Sequence, residues 1–106
     1  MAQGYGTVYQ MRPKPGAEPQ LVAQLEEWER ERKPKVPGAI GGYLFKPDNR
    51  PGQLIGAAIF RDRESYRANA DDPEQDAWYR RLRGHLEADP EWDDGIILGG
   101  FSEGRL

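Results

Sequence analysis

From Tyr5 to Arg12 the chain reads Tyr-Gly-Thr-Val-Tyr-Gln-Met-Arg, a run of β-branched and aromatic residues that halts at Pro13-Lys-Pro-Gly16. Such a run predicts a strand, because these side chains suit a pleated surface and the prolines after it cannot donate to a ladder. Leu21, Val22, Leu25 and Trp28 then recur at helical spacing. Pro19 fits a first helical turn, Glu18 complements the positive end, and Arg30, Arg32 and Lys33 complement the negative one. A helix is therefore predicted from Glu18 to just before Pro34. Residues 39–46 and 53–61 are apolar runs on either side of Pro47-Asp-Asn-Arg-Pro-Gly52, a tip made of turn residues, and together they predict a hairpin.

Asp62 is placed to cap a short helix over residues 64–70, which breaks at Asp71-Asp72-Pro73. A further helix runs from there to Asp89-Pro90, with Trp78, Leu82 and Leu86 forming a narrow apolar face. Residues 95–101, Gly-Ile-Ile-Leu-Gly-Gly-Phe, predict a last strand, and residues 102–106 a polar tail. The order β-α-β-β-α-β, under short connections and right-handed crossovers, folds into a four-stranded antiparallel sheet with helices on one face. This is a ferredoxin-like α+β architecture, expected as a single domain over residues 1–106 with its core at about 5–101. A sheet covered on one face should alternate apolar and polar positions. Ile40-Gly-Gly-Tyr-Leu-Phe45 and Leu54-Ile-Gly-Ala-Ala-Ile-Phe60 are instead apolar at both parities, so the open face is expected to pack against a second copy as a homodimer.

Composition narrows the function. Fifteen Lys and Arg against 18 Asp and Glu give a net charge of −3, which argues against nucleic acid as a partner. With no cysteine and only His85, thiolate chemistry and multi-His metal sites within one chain are excluded, and no metal or cofactor is expected. No apolar run is long enough to span a membrane and the start carries no leader pattern, so the expected location is cytoplasmic, without a membrane partner. An RNA-recognition reading would want alternating aromatics on the third strand, where this chain has Leu54-Ile-Gly-Ala-Ala-Ile. The glycines follow no dinucleotide fingerprint, and there is no phosphate-binding loop, Ser-His-Asp order or paired-carboxylate signature.

The stretch Ile59-Phe-Arg-Asp-Arg-Glu-Ser-Tyr-Arg-Ala-Asn-Ala-Asp-Asp-Pro73, followed by Asp76-Ala-Trp-Tyr-Arg-Arg-Leu82, resembles the antibiotic biosynthesis monooxygenase family of dimeric α+β barrels. Phe60, Asp62, Tyr66 and Pro73 stand where that family shows an aromatic strand end, acidic residues, a short helix and a proline break. Met11-Arg-Pro-Lys-Pro-Gly-Ala-Glu18 is similar to its first strand and the turn into its first helix. The resemblance spans about residues 5–101 and implies a homodimer whose activity, where the family has one, is cofactor-free oxygenation of a small aromatic or quinone-like molecule. At the position of the family's common His this chain has Asn69. The haem-degrading branch uses a strand-one Asn that is absent here, where the residue is Gln10.

On this reading Asn69 and His85 are the candidate catalytic residues, and Trp78, Tyr66 and Tyr9 the candidate substrate-binding ones. His85, seven residues after Trp78, is the one side chain that ordinarily titrates near neutrality and would act as base toward a phenol proton. Asn69 offers a donor and an acceptor to orient an oxygen, and the aromatic rings would stack on a flat substrate. Each has a plainer reading: a helix-end His, a helix C-cap, ordinary core packing. Trp28 and Tyr79 share the stacking chemistry, while Arg80, Arg81 and Arg83 fit a solvated, salt-bridged face. The alternative function is a non-catalytic dimer that binds a small molecule or serves assembly.

Overall fold

A computed structural model describes residues 4–101, and the polar tail at 102–106 lies outside the described residues. Strand β1 (Tyr5–Met11) leads through a turn at Gly16, whose φ of 79° suits glycine, into helix α1 (Glu18–Glu27). The helical path continues through a π-turn over Trp28–Arg32 and a short 3-10 turn over Lys33–Lys35. Pro34 gives the physical reason for the widening: it lacks an N–H and crowds the carbonyl four residues earlier. The Lys33 N–H donates to the Trp28 carbonyl, five residues back.

Strands β2 (Ala39–Phe45) and β3 (Leu54–Phe60) form the hairpin, and helices α2 (Arg63–Ala70) and α3 (Pro73–Arg83) follow before strand β4 (Glu91–Ile96). The sheet is antiparallel in the order β2-β3-β1-β4, as the ferredoxin-like pattern requires. Asp62 caps α2 as expected, its carboxylate accepting from Ser65 N at 2.8 Å, and Asp72 caps α3 in the same way through Glu74 N.

Two boundaries differ from expectation. Helix α3 ends at Arg83, well before Asp89-Pro90, because Gly84 closes it and the next residues pair elsewhere. Lys14 N donates to the His85 carbonyl, Glu87 N donates to the Arg12 carbonyl, and Leu86, with no exposed surface, bridges Pro13. His85 therefore stands off the helix that was expected to carry it. The last strand is Glu91–Ile96, shifted back from 95–101. Among the described residues it pairs only with β1, and a sheet edge tolerates the charges of Asp93 and Asp94. Trp92 anchors its register against the Tyr9 ring, with centroids 5.0 Å apart.

Pairing assigns the faces. Tyr5, Thr7, Tyr9 and Met11 point to the helices, opposite Phe60, Ala58, Gly56 and Leu54. With Leu21, Trp78, Leu82 and Leu86, residues Met11 and Leu54 make the core cluster. The other face carries Val8, Ile55, Ala57, Ile59, Tyr43 and Phe45; of these Val8, Tyr43 and Phe45 are exposed, Phe45 at 62%. Tyr9 and Tyr43 thus face opposite sides of the sheet.

Gly56 is opposite Tyr9 and lies beneath its ring, so that a β-carbon there would overlap the ring. Gly56→Ala should displace Tyr9 and destabilise the fold by about 1–3 kcal/mol. Denaturant unfolding measures this, and an unchanged midpoint would mean that the ring does not rest on Gly56.

Candidate functional site

The inner face of the sheet has large side chains at its ends and small ones between. Thr7, Ala58 and Gly42 are neighbours across β1, β3 and β2, and these short residues leave room beneath the helices, although Thr7 touches Tyr66 and Leu25 reaches over Gly42. The result is a cavity of about 730 Å³. Its walls are aromatic: Trp28 on the π-turn, Trp78 and Tyr79 on α3, Tyr66 on α2, Tyr9 and Trp92 from the sheet. Glu26, Glu29, Lys33 and Asp76 also line it and are exposed, so they mark a charged rim.

The rings form two groups. Tyr9 and Tyr79 flank Trp92, with centroids at 5.0 and 6.0 Å, while Tyr66 packs against Tyr5 at 5.3 Å and edge-on to Phe60 at 5.4 Å. These separations are in the favourable range for tilted aromatic pairs. Arg63 sits over the Tyr5 ring at 5.0 Å.

Helix α1 is tied to α2 and α3 by long polar side chains. Gln24 Nε2 donates to the Trp78 carbonyl at 2.8 Å, and the Trp78 indole donates back to the Gln24 carbonyl at 3.3 Å. One turn on, the Trp28 indole donates to Gln75 Oε1 at 2.8 Å. At the end of the π-turn Arg32, only 6% exposed, donates to Asn69 Oδ1 at 2.8 Å, Glu74 Oε2 at 3.0 Å and Asp72 Oδ2 at 3.4 Å. Truncating Arg32 would leave this corner without its buried link, a kind of loss that costs several kcal/mol at other buried ion pairs (~3–5) and less where the carboxylates can rehydrate.

Of the residues expected to form a site, Tyr9, Tyr66, Trp78 and Asn69 all line the cavity, as do Trp28 and Tyr79. His85 does not, so the structure does not bring it together with Asn69. Asn69 is not a C-cap either: Asp71 closes α2, and the Asn69 side-chain oxygen is taken by Arg32. The arginines of α3 do form surface pairs, Arg80 with Asp76 at 2.9 Å, Arg81 with Glu27 at 2.9 Å and Arg83 with Asp89 at 2.6 Å. Sequence reasoning gave Arg32 only a helix-end role and passed over Gln75, Thr7 and Trp92 as site residues. The signal for Arg32 was present: it continues the stripe of Leu21, Leu25 and Trp28, where a charged residue must find partners.

The tyrosine hydroxyls of the cavity are held neutral. Burial raises Tyr9 above the ordinary value, and Tyr79 likewise. Tyr66 is pushed up to about 12, first by burial and then by its hydrogen bond and proximity to Asp94, whose Oδ1 accepts from the hydroxyl at 2.9 Å. Thr7 is buried in the floor, and its hydroxyl, facing that of Tyr66, draws the Tyr66 pKa part of the way back down. Among the described residues no cluster of three or more His, Asp or Glu is arranged to hold a metal ion, and no helix is long and apolar enough to cross a membrane.

No family model and no curated protein sequence matches the chain. Solved structures do. A protein of Chloroflexus aurantiacus J-10-fl, provisionally named an antibiotic biosynthesis monooxygenase, is 24% identical over 95% of this chain and 99% of its own, with a TM-score of 0.73. One from Caulobacter crescentus CB15 with the same provisional name is 10% identical over 92% of each chain, at a TM-score of 0.78. SnoaB of Streptomyces nogalater, a cofactor-independent oxygenase, is 14% identical over 98% of this chain and all of its own, at 0.66. The chain has the ferredoxin-like α+β fold of these antibiotic biosynthesis monooxygenase-like structures.

The Tyr66 environment has a consequence at high pH. Its folded-state pKa near 12 exceeds the ordinary 10.0, so its contribution to stability is complete below about 10 and is lost as pH rises toward 12. A tyrosinate absorbance titration should lose one late step, near 12, in Tyr66→Phe, whose stability should also fall less steeply over that range. Identical late transitions in the two proteins would refute this.

Proposed function

We propose that the chain is a member of the antibiotic biosynthesis monooxygenase family and acts without a cofactor on a small aromatic or quinone-like substrate. The observation that supports this reading is the cavity: about 730 Å³, aromatic on its walls, small at its floor, with the Asn69 amide at its edge. That volume suits a molecule of two or three fused rings. Trp78, Tyr66 and Tyr9 hold the rings, and Asn69 orients a substrate oxygen.

In the reaction an anthrone-like or hydroquinone-like substrate loses a proton, and the resulting anion passes one electron to dioxygen. The radical pair joins as a peroxide anion, which takes a proton back from water at the rim and, for a methylene carbon, then loses water to leave a carbonyl. One oxygen atom stays on the carbon and the other departs as water, so the substrate itself supplies the electrons. The protein contributes orientation and an apolar wall that limits water. His85 has no part in this scheme, because it lies outside the cavity. The substrate proton leaves to water at the charged rim.

That position of His85, together with tyrosines held neutral, favours one second reading, a non-catalytic protein that binds the same class of molecule or serves assembly. Oxygen uptake on anthrone-like and hydroquinone-like substrates, without metal or flavin, separates the two. The monooxygenase reading expects turnover that falls at least about tenfold in Asn69→Ala, the effect of losing one positioned hydrogen bond to the reacting molecule. It also expects His85→Ala to retain activity. Binding without oxygen uptake across the panel would leave the second reading.

The reading includes a cytoplasmic homodimer. The sheet face away from the helices carries Val8, Tyr43, Phe45, Ile55, Ala57 and Ile59, a contiguous apolar surface that a second copy would cover. Light scattering should give about 24 kDa, twice the 12.0 kDa chain, with Phe45→Asp shifting the mass toward the single chain. A mass of 12.0 kDa for the unmodified protein at micromolar concentration would end the dimer proposal.

A further inference from the structure

We infer that the cavity is built to receive a hydrogen-bond acceptor, a carbonyl or phenolate oxygen, at two amide donors, Asn69 Nδ2 and Gln75 Nε2, each fixed in orientation by a donor-only partner on the first helical segment. The inference rests on the aromatic-ligand reading of this cavity and narrows the ligand that it takes. It makes Gln75 a residue that determines specificity, with Trp28 and Arg32 as positioning residues.

A carboxamide can ordinarily present either end to a ligand, since it has an acceptor oxygen and a donor nitrogen of nearly equal size. Neither amide has that freedom here. Arg32 Nη2 donates to Asn69 Oδ1 at 2.8 Å, and Trp28 Nε1 donates to Gln75 Oε1 at 2.8 Å. Guanidinium and indole carry donors and no acceptor. Turning either amide over would set N–H against N–H, lose the bond and leave a donor unpaired in a partly buried place, so both oxygens face the first helical segment.

The two NH2 groups are what remains. Asn69 and Gln75 both line the cavity, both are half-buried, and neither amide nitrogen has a hydrogen-bond partner among the described residues. The pins are themselves held. Arg32 is buried and braced by Glu74 and Asp72, and Trp28 packs against the core cluster. The cavity therefore offers fixed donors on the side of α2 and α3, against aromatic walls, and a ligand oxygen that accepts is favoured there over a group that can only donate.

Three probes of nearly equal size test this by equilibrium dialysis: 1,4-naphthoquinone, 1-naphthol and naphthalene. The chain has no cysteine, so the quinone cannot form thiol adducts. All three tryptophans line the cavity, so quenching of their fluorescence by the quinone reports independently that it binds there. The unmodified protein should bind the quinone on the order of tenfold more tightly than naphthalene, as one net hydrogen bond provides.

Gln75→Glu keeps an oxygen for the Trp28 indole and turns the cavity-facing donor into an acceptor. The quinone should then lose about tenfold while naphthol holds or gains and naphthalene is unchanged. Trp28→Phe, which frees Gln75 to rotate but keeps a ring, should lower the quinone-to-naphthol ratio with little loss of naphthalene binding. Should Gln75→Glu fail to fold, the Trp28→Phe ratio decides. A ratio unchanged in the variants, with all three probes still bound, overturns the donor assignment and leaves the aromatic site standing. Failure of every probe to bind the unmodified protein overturns the aromatic-site reading and this inference with it.

Discussion

The space above the sheet depends on a seam of polar bonds between α1 and the α2–α3 pair. Gln24, Trp28 and Arg32 lie along one stripe of the first helical segment and reach the Trp78 carbonyl, Gln75, and the group of Asn69, Asp72 and Glu74. Apolar side chains on such a stripe would let the helices close until their surfaces interdigitated. Polar partners impose a different condition, because a buried donor is satisfied only at its bond distance and costs the fold heavily when it is not. The seam therefore sets a spacing between the helices, and that spacing keeps the cavity open.

The floor completes the enclosure. Thr7, Ala58 and Gly42 keep the middle of the sheet low, while Tyr9 lies flat over Gly56, where only hydrogen leaves room for its ring. Volume removed at the floor is thus not refilled from above, since the side chains that hang over it are bonded to one another. The same bonds that space the helices also decide which end of each amide faces inward. Architecture and ligand preference come from one set of contacts, and a change at Trp28 or Arg32 would alter both.

Much of the fold was legible in the sequence because it is written in short-range patterns. The β1 run, the Pro-Gly turns, the Asp62 cap and the two-parity apolar strands each carry a local physical meaning, and the element order did the rest. The errors lie where a long-range partner overrides the local pattern. Residues 96–98 look more strand-like than 91–94, yet the strand begins at Glu91 because Trp92 packs on Tyr9 and an edge strand can carry Asp93 and Asp94. Residues 84–86 continue a helical spacing, yet they leave α3 because the segment after β1 offers backbone partners. That pairing removed His85 from the site. The cavity aromatics Tyr9, Tyr66 and Trp78 were recognisable by type, whereas Gln75 was not, since a glutamine in a first helical turn has no distinguishing local signature.

Without an imidazole in the cavity, the proposed chemistry must draw on a different source of acidity. A group that bonds an anion more strongly than its conjugate acid lowers the pKa of that acid, whether or not a base stands nearby. Amide donors held rigidly by Arg32 and Trp28 meet this condition for a substrate oxygen that becomes an enolate or phenolate, and they need no reorganisation as the charge develops. An asparagine at position 69, with no histidine lining the cavity, is then compatible with turnover, provided that the substrate is acidic enough to ionise with this help. The same two donors would hold an oxidised, carbonyl-bearing molecule equally well without any reaction. The acidity of the ligand, more than any residue of the protein, therefore separates an oxygenase from a binding protein on this scaffold.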